Sequence, residues 1–245
     1  MSSPSSSTFS KGNLSRYDPT KVNLLKVCLK SFILGTSLSF NIICLILIHF
    51  NHFHPFPSFY KIHIYFIFLS IFHILEFINT VLFNNSEVDD DSFILEDTDL
   101  YITTSVSILE YIIHINFIPD NKFYSLVSIF GVLLFLLGQF IRSFAMYTAR
   151  ESFNHYIQRQ HHEQKHKLIT NGIYSIFRHP SYFGFGIWFI GLELFLNNWI
   201  VLVFGGRVLW KFFKARIEFE ESYLISFFGD DYRKYRNRTR TWMMI

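Results

Sequence analysis

"HEQKHKLITNGIYSIFRHPSY", residues 162–182, supports two incompatible chemistries. Its first five residues, His162-Glu163-Gln164-Lys165-His166, fit the H-E-x-x-H pattern. In that pattern a helix sets two His at i and i+4 beside a zinc ion, with the Glu next to the metal-bound water. A zinc helix of this kind has an apolar side to pack. The flanks here, "QRQHHEQKHK", are polar all round, and "TNG" stops any helix within a turn or two. No third ligand follows at a usual spacing, and the surplus of His155, His161, His162 and His166 makes an accidental match easy. No metal is expected. The weight shifts to the second half of the stretch, from Gly172 and Tyr174 to Arg178-His179-Pro180-Ser181-Tyr182, and to where it lies relative to a membrane.

The surrounding chain is made for lipid. Of its 245 residues, 50% are hydrophobic and 31 are Phe, while only 17% are charged; a soluble domain carries about 25% charged residues. Cys28 and Cys44 both sit in an apolar run, so no disulfide framework is implied. Residues 1–21 are Ser-rich and polar, which predicts a disordered tail. Four stretches reach the roughly 20 apolar residues a bilayer crossing needs: 24–50, 60–83, 100–118 and 123–147. The third is the weakest, since it carries Glu110 and His114. Two shorter runs, 182–196 and 199–213, flank the turn signal Asn197-Asn198 and predict a tight helical hairpin. The expected fold is therefore an all-α integral membrane protein with about six transmembrane helices. Four lie in 22–147, and a catalytic region of 148–245 contains the hairpin.

Lys and Arg set the orientation, because short cytosolic loops accumulate them. Lys11, Arg16 and Lys21 lie in the tail, Arg150, Arg159, Lys165, Lys167 and Arg178 in 148–180, and seven more beyond residue 213. The opposite loops hold only Lys61 and Lys122. Both termini and residues 148–181 should thus face the cytosol. The acidic loop 84–99, with Glu87, Asp89, Asp90, Asp91, Glu96, Asp97 and Asp99, should lie on that side as a solvated linker. Within the apolar runs, Glu193 is expected to pair with Arg207 across the hairpin, and Arg142 to snorkel to the cytosolic face.

Two cytosolic pieces, 148–181 and about 214–245, then carry the chemistry. Their motifs are "ESFNHYIQ", "HKLITNGIYSIFRHPSYFGFGIWFIG" and "WKFFKARIEFEESYLISFFGDDYRKYRNRT". In order and spacing, with the hairpin between them, these resemble the isoprenylcysteine carboxyl methyltransferase family. Those membrane enzymes methylate the C-terminal prenylcysteine of Ras-type GTPases and fungal mating pheromone. The resemblance covers about two-fifths of the chain. It departs from the family at Asn197-Asn198, where Asn-Pro is usual, at one inserted residue between Gln158 and His166, and at the final "RTWMMI".

The resemblance implies S-adenosylmethionine as cofactor. Its contacts would be Gln158, His166, Lys167, Leu168, Ile169, Tyr174, His179, Pro180, Ser181, Tyr182 and Glu220. Physical sense can be made of several. Gly172 suits a turn where backbone approaches a ligand, Pro180 restricts the preceding dipeptide to extended geometry, and Tyr174 and Tyr182 offer flat faces and hydroxyls. Arg216 and Glu220, at i and i+4, share one helix face just beyond the hairpin. Arg216 is the candidate for the substrate carboxylate, which it would fix through a bidentate fork. The expected location is the endoplasmic reticulum membrane, multi-pass, with the site facing the cytosol. A prenyl chain would enter laterally from membrane lipid, and nucleic acid has no part. Rival functions are a phospholipid N-methyltransferase, a sterol reductase with a similar "RHP-Y" region, a zinc membrane protease, or a non-catalytic membrane scaffold.

Overall fold

The computed structural model describes residues 22–50, 59–118, 122–157 and 167–245. The tail 1–21, Gln158, the H-E-x-x-H residues and His166 fall outside them. Six α-helices follow in order: α1 Leu24–His49, α2 Tyr60–Phe83, α3 Thr98–Phe117, α4 Lys122–Ala149, α5 Pro180–Leu196 and α6 Trp199–Arg238. Short 3-10 turns cover Asn85–Glu87, Arg150–Ser152 and Gly172–Ser175. Helices α1, α2 and α4 are each long and apolar enough to cross a membrane. The protein is an all-helical membrane protein, and α1 to α5 begin and end within a few residues of the apolar runs in the sequence.

The tightest seam joins α4 to α5. Gly131 and Gly138 on α4 meet Gly191 and Gly184 on α5, one pair per two helical turns. A Cβ built on any of the four would strike the facing backbone: from Gly131 it would lie 2.7 Å from Gly191 O, and from Gly138 2.6 Å from Gly184 O. Small residues at this spacing let two helices approach backbone to backbone, which is how packing is gained where lipid removes the hydrophobic drive. Around the seam lie Phe72, Phe135, Trp188, Leu192 and Phe195, all buried.

One end of the bundle is closed by polar contacts at the hairpin turn. Lys61 Nζ donates to Ser128 Oγ at 2.8 Å, and Asn197 Nδ2 to the same oxygen at 3.0 Å. Asn197 itself turns the chain at φ 62°, a left-handed conformation that Asn tolerates. Of the polar residues on α3, Glu110 and Ser107 seat the hairpin. Glu110 accepts from Ile200 N and Val201 N at 2.7 and 2.8 Å, capping the open N-terminus of α6. Ser107 Oγ donates to Glu193 at 2.8 Å.

Four expectations need correction. Glu193 pairs with Ser107 and with Asn198 Nδ2 at 2.9 Å, and Arg207 is exposed instead, because the turn supplies an amide donor and α3 a hydroxyl that together satisfy the carboxyl. Arg142 does not snorkel: it is 6% exposed and grips Glu76 of α2 with both Nε and Nη2, at 2.5 and 2.9 Å. The second hairpin arm does not end near 213; α6 runs 40 residues, with non-helical backbone only at Gly229 (φ 54°). The acidic loop is no free linker either. Val88 and Phe93 are buried, Phe93 stacks on Phe77 at 4.1 Å, and Asp90 and Glu96 pair with Lys26 and Lys30 at the start of α1. Its alternation of acids with apolar residues lets one set pack while the other meets lysines. The start of α1, this loop, residues 150–157 and the long extension of α6 thus gather at the end opposite the hairpin turn.

Candidate active site

At that end the turn before α5 and the outer half of α6 are locked together. Gly172 sits at φ +56°, and a Cβ there would lie 3.0 Å from Thr148 Cγ2, so conformation favours glycine and a side chain would also crowd the Thr148 methyl on α4. The tight neighbour is thus α4. Arg178 then pairs in extended form with the C-terminal segment, its N–H donating to Arg240 O at 2.9 Å. Pro180 occupies the first helical position of α5, where its missing N–H costs nothing.

The lock centres on Glu221, only 4% exposed. Its carboxylate accepts from Arg178 Nε at 2.5 Å and His179 Nε2 at 3.0 Å, and forms an ion pair with Arg236 Nε at 3.1 Å. Burial works against its ionisation, yet His179 and the two guanidinium groups outweigh burial and hold its carboxyl down to about 2. Arg178 also donates to the carbonyls of Arg236 and Thr239. The Arg-His-Pro run is therefore clamped to the end of α6.

Facing this clamp is a smaller polar chain. Tyr182, on the first turn of α5, donates its hydroxyl to Glu220 Oε2 at 2.7 Å and accepts from Arg216 Nε at 2.9 Å. Arg216 Nη2 donates to the carbonyl of His155, and its guanidinium carbon lies 5.5 Å above the Tyr182 ring. His179 stacks on Tyr182 with centroids 5.6 Å apart and 9° between planes, and its Nδ1 lies 3.8 Å from Glu220 Oε2. Arg216 and Glu220 do share a face, with Tyr182 inserted between them.

Of the other expected site residues, Lys167, Leu168 and Ile169 form an irregular segment tied by Lys167 N to Ser152 Oγ at 3.3 Å. Tyr174 packs on Ile141, Ala145 and Ile173, and its carbonyl accepts from Tyr235 at 2.7 Å. Pro180 is buried. Ser181 points elsewhere: its Oγ and carbonyl both accept from Arg142 Nη1, at 3.0 and 3.3 Å. Sequence reasoning missed Glu221, Arg236, His155 and Glu76. For Glu76 and Arg142 the sequence carried half a signal, an ionisable group inside an apolar span, without showing that the two are partners.

The known proteins like this chain agree with the motifs. Residues 131–226 match the isoprenylcysteine carboxyl methyltransferase (ICMT) family. The chain is 39% identical over 222 residues to the protein-S-isoprenylcysteine O-methyltransferase of Saccharomyces cerevisiae, covering 88% of this chain and 89% of that protein. The Schizosaccharomyces pombe enzyme of the same name is also 39% identical, over 193 residues, 73% of this chain and 81% of its own. A solved structure of a eukaryotic intramembrane Ras methyltransferase, ICMT, superposes with a TM-score of 0.73 at 33% identity, over 82% of this chain and 72% of the other. With relatives 39% identical over more than four-fifths of their own length, a matching family model and a similar solved structure, the chain belongs to the isoprenylcysteine carboxyl methyltransferase family of membrane enzymes.

Proposed function

We propose that this enzyme methylates the C-terminal α-carboxylate of prenylcysteine in CAAX-processed proteins, Ras-type GTPases or fungal mating pheromone. The methyl donor is S-adenosylmethionine, and the site faces the cytosol at the endoplasmic reticulum membrane. One observation carries the reading: Arg216 is held at Nε by Tyr182 and at Nη2 by the His155 carbonyl. Its Nη1 has no partner among the described residues. A guanidinium fixed on two sides, its remaining edge unpartnered among the described residues, suits a carboxylate better than an amine headgroup.

The donor set suits the cofactor. Glu220 keeps 29% of its side chain exposed beside the stacked rings of His179 and Tyr182. A carboxylate and aromatic faces together attract a sulfonium cation. When bound, S-adenosylmethionine supplies an electrophilic methyl. Glu220, Tyr182, His179 and the 167–169 segment would hold it, with Gln158 and His166 joining from outside the described residues.

The chain's own residues need no general base. A C-terminal carboxyl has a pKa of roughly 3.5 and is ionised at neutral pH. Arg216 positions that carboxylate for in-line attack. Attack of an anion on a cation disperses charge, so exclusion of water by the surrounding apolar helices favours it. Membranes holding the protein, incubated with labelled S-adenosylmethionine and a farnesyl-cysteine analogue, should yield a base-labile ester. Label recovered in phospholipid instead, or in neither product, would overturn the proposal.

A further inference from the structure

Glu76 lies on α2, outside residues 131–226 matched by the family model, and no part of its side chain is exposed. A carboxylate costs much to bury, so its partners are informative. Arg142 occupies both its oxygens through Nε and Nη2, and the same guanidinium uses Nη1 for the Oγ and carbonyl of Ser181. That fixes the first turn of α5, one residue before Tyr182. Phe72 and Phe185 rings, 5.6 and 5.4 Å from the guanidinium carbon, complete the enclosure. Glu76 Oε2 also accepts from His155 Nε2 at 3.0 Å. His155 in turn presents its backbone carbonyl to Arg216 Nη2.

Both hydrogen bonds that orient Arg216 therefore trace back to one buried carboxylate. The Tyr182 side is anchored through Arg142 and Ser181, the His155 side directly. We infer that Glu76 and His155 are positioning residues for the methyl transfer, acting through the guanidinium of Arg216. The inference deepens the proposed function and rests on it. The segment 150–157 has no long helix of its own; Asn84 holds the Phe153 carbonyl and Asp91 accepts from the Tyr156 hydroxyl, while Glu76 holds residue 155 itself. Without the Glu76 bond the His155 side chain would lose its anchor, its carbonyl could shift between the fixed neighbours, and the Arg216 guanidinium would be held less precisely. A prenyl chain carries most of the substrate's apolar area, so affinity should change little while the geometry of attack suffers.

The test uses the full-length protein in membranes, with the farnesyl-cysteine analogue and S-adenosylmethionine. His155→Ala leaves the backbone carbonyl but frees it. It should lower kcat about tenfold, the scale expected for a small misplacement of a reacting group, while KM and S-adenosylmethionine binding stay within twofold. His155→Gln, whose amide can still donate to Glu76, should recover most of the loss. Glu76→Gln should act in the same direction, and in an Arg216→Lys background His155→Ala should have little further effect, since positions acting through one group are not additive. A His155→Ala enzyme with kcat within twofold of wild type would overturn the inference. So would loss of cofactor binding in step with kcat, which marks a role in folding. If Glu76→Gln does not fold, the His155 variants decide alone. Wild type that forms no ester at all would defeat the functional reading itself, a separate and distinguishable result.

Discussion

Tyr182 donates its hydroxyl to Glu220 at 2.7 Å, and the same oxygen accepts from Arg216. One phenol thus joins the residue proposed to hold the substrate to the residue proposed to face the cofactor. Tyr182→Phe keeps the ring under the Arg216 guanidinium and removes only the bridge. Losing the partner of a charged group costs about 1–3 kcal/mol. Methylation should fall roughly 5- to 150-fold in kcat/KM, with normal protein abundance in the membrane. An unchanged rate in a labelled-methyl assay would show that the bridge is idle.

Arg216→Ala should abolish most turnover while S-adenosylmethionine binding persists. Lys at 216 should rescue poorly, because an ammonium can neither bond Tyr182 and the His155 carbonyl together nor present a planar fork. Glu220→Ala should weaken cofactor binding first. A surface ion pair would give instead small, similar and salt-screened effects on stability. Equilibrium binding and turnover, measured on the same preparations, separate the two patterns.

Much of this was legible in the sequence, and the parts that were not share a physical reason. Hydropathy marks α1, α2 and α4 because lipid imposes one constraint on every residue of a span. The Arg-His-Pro run and the Arg216–Glu220 pair were legible as motifs. Pairings between distant apolar spans were not. Arg142 and Glu76 are 66 positions apart, and nothing local distinguishes a buried bidentate pair from an arginine that snorkels. Glu193 went the same way: hairpin proximity suggested Arg207, while Ser107 on α3 arrives from 86 positions off. Glu221 looked like one more acid in a charged helix. Only the return of residues 239–240 beside Arg178 reveals it as the centre of a clamp.

Glu221 gives a pH prediction. Its folded carboxyl lies near 2, below its ordinary 4.5. A depressed acid contributes stability that is complete above the ordinary value and disappears as pH falls through the folded one. The clamp should therefore weaken between about pH 4.5 and 2. Thermal inactivation followed across that range should show the loss in wild type. In Glu221→Gln the enzyme should be less stable at neutral pH, and the part of the acid slope due to this group should be gone. Parallel pH curves for the two proteins would contradict the clamp.

The α4–α5 seam makes the sharpest packing prediction. Gly138 and Gly184 oppose each other so closely that a Cβ on either would meet backbone under 3 Å away, at Gly184 O and at Arg142 N respectively. Backbone cannot step aside as a flexible side chain can. Gly138→Ala or Gly184→Ala must push the helices apart, and overpacking of this kind costs about 1–3 kcal/mol or more. Because Arg142 and Ser181 lie along the same seam, separation should also disturb the Arg142–Ser181 bonds and lower turnover in whatever protein still folds. Gly186 provides the control. It lies on the same helix between Gly184 and Gly191, yet a Cβ there meets nothing within 4 Å. Gly186→Ala should be neutral to slightly stabilising, since alanine exceeds glycine in helix propensity by about 0.8–1.0 kcal/mol. Thermal melts of the three variants in one detergent give the comparison: Gly138→Ala and Gly184→Ala should fall several degrees, and Gly186→Ala should not. A melt for Gly138→Ala equal to wild type would mean that α4 and α5 do not touch backbone to backbone.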